Sequence, residues 1–224
     1  MFFLVACTKT DFVFADVEPC ESQTANPTGK SYVTDSVVDY ACTQKLCGIL
    51  PLSTKNYWVY EDSLFADGVF LQVRMDTLRF QDCKKSLPDG LVWWTSNMNV
   101  GLPGTLYASD SSFFGLADRF FTPGIKDVKK EYGLFAGDTL KYLGSFEDAA
   151  ALCTSIKIKG TLKTAAGDFT DCLYFEKLAP TYRKERVYFR EGIGVMKYIH
   201  ERAPMGTRIL KLQQVATLVS YHIE

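Results

Sequence analysis

The sequence predicts a mainly β protein, an antiparallel meander that forms a curved open sheet or half-barrel, with at most one or two short helices. Aromatic residues make up 14% of the 224 residues, and most are Phe or Tyr, which favour strands. Short alternating apolar runs follow one another along the chain, separated by turns rich in Gly, Pro and Asp. No long helical pattern lies between these runs, so a parallel α/β sheet is not expected.

The middle of the chain contains a clear hairpin pattern. Asp-Gly at 67–68 is a turn signal. Beyond it, Leu71, Val73 and Met75 alternate with polar residues, which predicts a strand that buries these three side chains. The apolar phase then changes near Thr77, and a β-bulge would explain the change.

The C-terminal third continues the meander. Val215, Thr217 and Val219 alternate with polar neighbours, and the pattern predicts that they share the apolar face of the last strand. Residues 145–153 are the best candidate for a short helix, because Ser145 can cap it and two acidic residues follow in its first turn. The same segment is also compatible with a loop.

The expected organisation has three parts. Residues 1–7 resemble the end of a truncated signal sequence, and residues 8–48 read as a tether or irregular segment that carries cysteines. Residues 49–224 read as a single β-rich domain. An alternative is two similar β lobes, 49–140 and 141–224.

The N-terminus contains a candidate lipidation site. Leu4-Val5-Ala6-Cys7 looks like a bacterial lipobox, in which a small residue precedes the cysteine that receives the lipid. Six residues before Cys7 are too few for a complete signal peptide, which needs about 7–15 apolar residues after a basic start. The alternative is an ordinary apolar strand with a free thiol.

The other six cysteines are candidates for disulfides, because an even number in an exported chain favours pairing. Their spacing is not that of a zinc site or of a redox motif. Six cysteines allow 15 connectivities, and a buried, unpaired Cys172 would leave a second one unpaired. The candidates are Cys20, Cys42, Cys47, Cys83, Cys153 and Cys172.

No catalytic residue, metal ligand or cofactor site is predicted. The chain has only two histidines, His200 and His222, and lacks the common nucleophile, zinc-protease and phosphate-loop motifs. Its formal net charge of −1 argues against nucleic-acid binding. No apolar run approaches the roughly 20 residues of a membrane-spanning helix.

Aromatic side chains are the one feature with binding potential. Trp93 and Trp94 are neighbours, and in one strand they point to opposite faces. One is therefore expected in the core and the other exposed or under a loop, although burial of all the tryptophans is the stronger expectation. The candidates for a ligand or partner surface are Trp58, Trp93, Trp94, Tyr57 and Tyr107.

Two stretches resemble uncharacterised bacterial envelope lipoproteins. Residues 50–60 are similar to an opening PL-x-x-G-N-x-W-x-Y, with Lys55 in place of the glycine. Residues 165–173 and 187–197 are similar to an AG-x-F-x-x-C-L hairpin followed by Y-x-x-G-[VI]-G-x-[VM]-K. The resemblance implies an antiparallel, open half-barrel fold and implies no reaction.

Together these features predict a non-catalytic, lipid-anchored lipoprotein of the bacterial cell envelope that acts as a binding or assembly module. Its expected partners are the membrane, through the anchor, and envelope proteins. One alternative is a carrier of a lipid or other hydrophobic ligand in an apolar groove. Another is a surface glycan hydrolase with two carboxylates across an aromatic cleft.

Overall fold

The protein is described here from a computed structural model, which describes residues 20–119, 121–146 and 149–224. These residues form seventeen strands and one 3₁₀ turn, Thr34–Ser36. The strands are β1 (Ser31–Val33), β2 (Val37–Tyr40), β3 (Tyr57–Ala66), β4 (Val69–Leu78), β5 (Phe80–Ser86), β6 (Val92–Ser96), β7 (Thr105–Ala108), β8 (Ser112–Asp118), β9 (Ile125–Gly133), β10 (Thr139–Ser145), β11 (Ala150–Lys157), β12 (Leu162–Thr164), β13 (Gly167–Phe169), β14 (Leu173–Ala179), β15 (Arg183–Arg190), β16 (Gly194–Arg202) and β17 (Lys211–His222).

The strands form two large sheets and one small hairpin. The seven-stranded sheet has the order β1-β9-β8-β7-β6-β5-β2 and is called the rolled sheet below. The eight-stranded sheet, β10-β11-β14-β15-β16-β17-β3-β4, is called the curved sheet, and β12 pairs with β13. All pairings between these strands are antiparallel, and the curved sheet forms a half-barrel, so the predicted fold class is confirmed.

A short connection forces the rolled sheet to curl. β1 and β2 lie at opposite edges of this sheet, yet only Thr34–Ser36 separates them in the chain. Seven strands laid flat would be about 29 Å across, whereas the chain from the end of β1 to the start of β2 spans at most about 14 Å. The two edges must therefore approach each other. The sheet wraps around its own small core, Tyr32, Trp93, Tyr107, Phe114 and Val128.

Asp89 joins the two edges of the rolled sheet. Its carboxylate accepts hydrogen bonds from Lys30 and Tyr32, both at 2.7 Å, and from Ser86 at 2.5 Å. Lys30 and Tyr32 lie at the β1 edge, whereas Ser86 ends β5 near the other edge. Burial disfavours ionisation of Asp89, but these hydrogen bonds outweigh that effect and lower its pKa to about 2.

The main core lies between the two sheets. Phe175 and Phe189 project from the concave face of the curved sheet and contact the ring of Tyr132 in the rolled sheet, with centroids 6.0 and 5.1 Å apart. Phe113 adds a second contact with Phe189 at 6.0 Å. This packing fills the interior of the half-barrel with aromatic and aliphatic side chains.

The two stretches that resemble envelope lipoproteins pack against each other. Trp58 donates a hydrogen bond to the Ile193 carbonyl at 2.7 Å, and Tyr60 donates to the Val195 carbonyl at 2.8 Å. Gly194 has a φ of 125°, and a Cβ there would lie 3.3 Å from Trp58 Nε1. Glycine is therefore required between the two acceptors. Lys55, at the position of the family's glycine, is exposed on the surface.

The change of apolar phase near Thr77 does not come from a β-bulge, so that prediction is wrong. β4 ends at Leu78 in the curved sheet, and β5 begins at Phe80 in the rolled sheet. The chain thus changes sheets at Arg79. The predicted Asp-Gly turn at 67–68 does connect β3 to β4.

Two other local predictions differ from the structure. Ser145 ends β10 and Ala150 begins β11, so the predicted helix at 145–153 is instead a hairpin, of which residues 147–148 lie outside the described residues. In β17 the fully buried side chains are Ala216 and Leu218. The predicted face, that of Val215, Thr217 and Val219, is therefore the outer one. A period of two residues indicates a strand but does not indicate which of its faces is covered.

The cysteines form fewer disulfides than six paired residues would. Cys20 bonds to Cys47 and Cys42 to Cys83, whereas Cys153 and Cys172 are buried thiols. The two bonds join the segment before residue 48 to itself and to β5. Each closes a loop of a length for which a disulfide contributes about 3–4 kcal/mol.

The segment boundaries in the structure differ from the expected ones. Residues 31–40 supply both edge strands of the rolled sheet, so this part of 8–48 is not a free tether. β3 and β4 pair with the C-terminal strands, so the sheets do not divide the chain at residue 140. The described part of the chain contains no helix with the length and apolar character needed to cross a membrane. Cys7 lies outside the described residues.

We expect Asp89→Asn to weaken the contact between β1 and the end of β5, and so to lower the free energy of unfolding. Hydrogen bonds to a charged group contribute about 1.5–3 kcal/mol each, so urea unfolding at pH 7 should show a loss of about 2 kcal/mol for this variant. An unfolded aspartate has a pKa of about 3.9, above the folded value. The stabilisation by Asp89 is therefore complete above about pH 4 and is lost as the pH falls through about 2.

The difference between wild type and Asp89→Asn should consequently shrink between pH 4 and pH 2. Asp118→Asn is the control, because that side chain is 82% exposed in its pair with Lys126. An equal loss of stability in both variants would contradict a special role for Asp89.

Candidate binding cleft

Four of the five predicted aromatic candidates lie in the core. Trp58, Trp93, Trp94 and Tyr107 are each at most 1% exposed, so they offer no ligand surface. Trp93 and Trp94 do point to opposite faces, as predicted, but both faces are covered. Trp94 packs between the sheets, and Trp93 packs inside the rolled sheet.

Tyr57 is the one candidate aromatic that reaches the surface. Its ring stacks on His222, with centroids 5.5 Å apart, and the Arg79 guanidinium lies 4.9 Å from its centroid. These two neighbours already engage the ring, so it is not an open stacking platform.

A row of polar side chains crosses the concave face of the curved sheet. Cys153 lies opposite Lys177, Lys177 opposite Glu185, Glu185 opposite His200, and His200 opposite Gln214. Directly opposed residues of antiparallel strands share a face. The row therefore spans β11, β14, β15, β16 and β17 at one end of the half-barrel.

Ion pairs connect this row to the rolled sheet and to an aromatic ring. Lys177 donates to Glu131 of β9 at 2.5 Å, and Arg183 forms an ion pair with Glu185. The ring of Phe146 contacts both cations, with its centroid 5.3 Å from Lys177 Nζ and 4.6 Å from Arg183 Cζ. Each charge is thus neutralised within the protein, as buried charges require.

The row continues toward β3 through hydrogen bonds. Tyr198 donates to Glu185 at 3.0 Å. The Gln214 side chain donates to Asp62 at 3.0 Å, and Arg74 lies 3.5 Å from the same carboxylate. Asp62 has no exposed side-chain surface.

Burial and pairing shift several pKa values in this row. Burial lowers the pKa of Lys177, but the Glu131 carboxylate outweighs that effect and keeps it above its ordinary value. Burial raises the pKa of the Cys153 thiol to about 11 and raises that of Asp62. It lowers the pKa of His200 below 6.5, which favours a neutral imidazole at pH 7.

Two residues of the polar row, Lys177 and Glu185, form one wall of a cleft of about 670 Å³ together with Arg183. The opposite wall comes from β8, β9 and the loop between β6 and β7. The lining is mixed, with amide, hydroxyl and paired charged groups next to short apolar ones. It includes Thr95, Ser96, Asn97, Met98, Asn99, Leu102, Pro103, Lys177 and Glu185.

The loop that lines the cleft is held in place at both ends. Asn97 accepts a hydrogen bond from the Arg79 amide at 2.8 Å and donates to the Thr77 carbonyl at 3.0 Å. Gly101 has a φ of 81°, and a Cβ there would lie 2.8 Å from the ring of Tyr198, so only glycine fits this close approach. The cleft is therefore largely preformed, as binding sites usually are.

The arrangement favours binding over proton transfer. The three carboxylates that line the cleft already accept hydrogen bonds from cations. Asp118 accepts from Lys126, Glu131 from Lys177, and Glu185 from Arg183 and also from Tyr198. Among the described residues, no group of three or more His, Cys, Asp or Glu side chains is placed to hold a metal ion.

Sequence reasoning missed this cleft, although a signal for it exists. In β14, Lys177 follows Leu173 and Phe175 at every second position, and all three are buried. In β15, Glu185 precedes Val187 and Phe189 in the same way. When a charged residue occupies the next alternate position of such an apolar row, its side chain is expected to point toward the core.

Comparisons with known proteins give two structural similarities. No protein-family model matches the chain, and no curated protein is similar in sequence. A candidate lipoprotein from Parabacteroides distasonis is 12% identical, with a TM-score of 0.40, and the match covers 80% of this chain and 100% of that one. A candidate exported protein with a YmcC-like fold from Bacteroides fragilis is also 12% identical, with a TM-score of 0.36 and coverage of 79% and 99%.

We expect Glu185→Gln to destabilise the protein, because it leaves the Arg183 charge without its partner. Breaking a buried ion pair costs about 3–5 kcal/mol, and the partial exposure of Arg183 places the expected loss near 3 kcal/mol. Asp39→Asn is the control, because that carboxylate is 93% exposed in its pair with Lys84 and its removal should leave the stability close to that of the wild type. Equal losses in urea unfolding would contradict a structural role for the polar row.

Proposed function

We propose that this protein is a non-catalytic, lipid-anchored binding module of the bacterial cell envelope, and that its cleft holds an uncharged polar ligand such as a short saccharide. The observation that carries the proposal is the preformed cleft, in which Glu131, Lys177, Arg183 and Glu185 are already engaged in ion pairs and amide and hydroxyl groups make up much of the remaining polar lining. A ligand without charge can hydrogen-bond to these groups without displacing an ion pair. The short apolar side chains in the same lining suit the C–H faces of a sugar ring.

The state of the carboxylates supports binding over hydrolysis. A glycosidase needs one carboxyl group to protonate the leaving oxygen and a second to act as nucleophile or base. Glu131 is engaged by Lys177, and Glu185 is engaged by Arg183 and Tyr198. Asp118, the third carboxylate of the lining, is engaged by Lys126, so none of the three is an unpartnered group facing the cleft.

The packed interior argues against a carrier of hydrophobic cargo. In the half-barrel carrier hypothesis, an apolar groove would run along the concave face of the curved sheet. Instead, Phe175, Phe189 and Tyr198 fill that face and are buried against the rolled sheet. The space that remains at its end is lined by charged and amide groups.

The envelope location and the anchor rest on three supports. Leu4-Val5-Ala6-Cys7 has the pattern of a lipobox. Two disulfides favour an oxidising compartment such as the periplasm or the cell surface. The third support is the resemblance of residues 50–60, 165–173 and 187–197 to envelope lipoproteins. In the fold, Trp58 and Tyr60 of the first stretch contact the 193–195 segment of the last. Under this proposal the partners are the membrane, through Cys7, and other envelope components.

Intact mass of the protein from its native envelope tests the anchor. We expect a chain that begins at Cys7 and carries acyl groups, with a gain of about four proton masses on reduction because two disulfides open. Two further thiols, those of Cys153 and Cys172, should become alkylated only after unfolding. An unprocessed chain with every thiol free would refute both the anchor and the oxidising compartment.

Two single variants, each replacing a glycine by phenylalanine, test whether the cleft binds the ligand. Gly104 lines the cleft, and a Cβ there would have nothing within 4 Å, so Gly104→Phe places a ring in the cleft without strain. Gly137→Phe is the control, because its Cβ would meet only backbone atoms at 3.9 Å or more and the residue lies outside the cleft. We expect a neutral N-acetylglucosamine disaccharide to bind the wild type in an NMR titration, and Gly104→Phe alone to weaken binding at least about tenfold.

Two results would contradict the proposed ligand class. Tight binding of palmitate that survives Gly104→Phe would favour the hydrophobic carrier. Hydrolysis of the disaccharide by the wild type would favour an enzyme.

A further inference from the structure

The first residues of β4 do not pack as their sequence pattern predicts. Leu71, Val73 and Met75 are predicted to be buried, but each is more than half exposed, so that prediction is wrong. The register with β3 shifts between Leu64 and Phe65, and Leu71 has no residue directly opposite it on that strand. Such a shift indicates a bulge. The apolar side chains of this stretch therefore do not form one regular face and are not part of the core.

Two connections at one end of the curved sheet expose large apolar side chains. Val69 and Phe70 follow the turn between β3 and β4, and both are more than half exposed. In the loop between β16 and β17, Ile209 is also more than half exposed and Met205 is fully exposed. Both connections thus place apolar groups in contact with solvent.

These two connections lie side by side and form one surface. The Gly68 amide donates a hydrogen bond to the Leu212 carbonyl at 3.0 Å, which ties the turn to the start of β17. Asp67 of the turn and Met205 of the loop line the same cavity, of about 460 Å³. The combined surface is called the tip below, and it consists of residues 66–70 and 202–211.

A tight turn holds Met205 in its exposed position. The Thr207 amide and the Thr207 hydroxyl each donate a hydrogen bond to the Pro204 carbonyl at 3.0 Å. Gly206 has a φ of 79°, as the third residue of a type II turn requires. Met205 therefore occupies the outer corner of a defined turn and makes no contact with the core.

The tip carries more positive than negative charge. Arg202, Arg208 and Lys211 are exposed, and none of them forms an ion pair with another residue that the structure describes. Asp67 is the one acidic residue of the tip. Cations are therefore available at this surface for a partner that carries negative charge.

The arrangement of these side chains indicates the class of partner. Met205 and Ile209 alternate with Arg208 and Lys211 along one short loop. A protein partner would need apolar pockets and carboxylates at matching positions. A bilayer that contains anionic lipids presents both kinds of group at every point, with phosphates at its surface and acyl chains below them. Proteins bind such surfaces by burying apolar side chains at this boundary and by attracting anionic lipids to Lys and Arg.

We propose that the tip docks onto a membrane surface that contains anionic lipids. The apolar side chains of the tip enter the boundary between headgroups and acyl chains, while Arg208 and Lys211 contact the lipid phosphates. This contact needs neither the lipid anchor at Cys7 nor a ligand in the cleft, so it is an interaction in addition to the proposed function.

Co-sedimentation with vesicles tests the contact on the full chain carrying Cys7→Ser, so that no acyl chain contributes. We expect binding to phosphatidylcholine vesicles that contain phosphatidylglycerol, and weaker binding at higher salt because exposed charges are screened. Met205→Asp should weaken the binding at least about tenfold. Leu87→Asp is the matched control, since Leu87 is a largely exposed residue of the turn between β5 and β6 in the other sheet, and it should leave the binding unchanged.

A second pair of variants tests the contribution of the cations. Arg208→Glu should weaken binding at least about fivefold, because it reverses a charge next to the lipid phosphates. Lys163→Glu changes the net charge of the protein by the same amount, and its side chain is 77% exposed in β12, outside the tip. It should change the binding by less than about twofold.

Tryptophan fluorescence tests whether Met205 enters the bilayer. The three native tryptophans are each at most 1% exposed, so contact with a membrane should leave their emission unchanged. Met205→Trp introduces an exposed reporter whose emission should move to shorter wavelength on vesicles that contain phosphatidylglycerol. Leu87→Trp should show no such shift, and circular dichroism verifies that each variant is folded.

Each contrary result overturns the inference. A chain that sediments with neither kind of vesicle removes the membrane as the partner of the tip. Equal binding to vesicles with and without phosphatidylglycerol removes the role of the cations. Equal losses in Met205→Asp and Leu87→Asp, or a shift for Leu87→Trp in place of Met205→Trp, would place the contact elsewhere. None of these results bears on the cleft or on the anchor, which are tested with Gly104→Phe and by intact mass.

Discussion

The two sheets are tied together at Arg79, the single residue between β4 and β5. Leu78 and Phe80 on either side of it are both buried, yet they belong to different sheets. One residue cannot bridge two separated layers, so the sheets must touch at this point. The side-chain amide of Asn97 binds the backbone of Thr77, just before the crossing, and of Arg79, at the crossing. Asn97 belongs to the loop that lines the cleft. The position of one cleft wall is therefore set by the junction of the sheets.

The second constraint on the cleft is the inter-sheet ion pair. Lys177 comes from the curved sheet and Glu131 from the rolled sheet, so their contact fixes how one sheet seats on the other. A buried ion pair contributes little net stability, because desolvation offsets the attraction. Its larger effect is on how the two sheets are aligned with each other. Any sliding of the sheets that separated the pair would leave two poorly solvated charges, whereas an all-apolar contact would tolerate small shifts.

The sequence predicts the architecture better than the placement of individual side chains. The fold class, the Asp-Gly turn at 67–68 and the opposite directions of Trp93 and Trp94 all follow from local rules of period and turn chemistry, and the structure contains them. The side that faces the core does not follow from such rules. In β4 the alternation of apolar and polar residues is real, and in β17 the burial alternates, but which face is covered depends on strands that are distant in the chain.

The cleft could not be predicted from the sequence for the same reason. Lys177, Glu185 and His200 come together only because β14, β15 and β16 pair in one particular register. Pairing of the cysteines likewise depends on distant strands meeting, since β2 pairs with β5 and brings Cys42 next to Cys83. A charged residue within an apolar alternation signals that something polar is turned inward, but it does not identify the partner.

The order of the curved sheet has a consequence for how the chain folds. β17, the last strand in this sequence, lies between β16 and the early hairpin β3–β4, and Asn56 accepts a hydrogen bond from the backbone of Glu224. The β3–β4 hairpin therefore has no neighbouring strand in the curved sheet until β17 is synthesised. Such long-range pairing slows folding and leaves apolar strands open to aggregation. A chain that is exported as it is made would pass through this stage outside the cytoplasm, where assistance from periplasmic chaperones would be of most value.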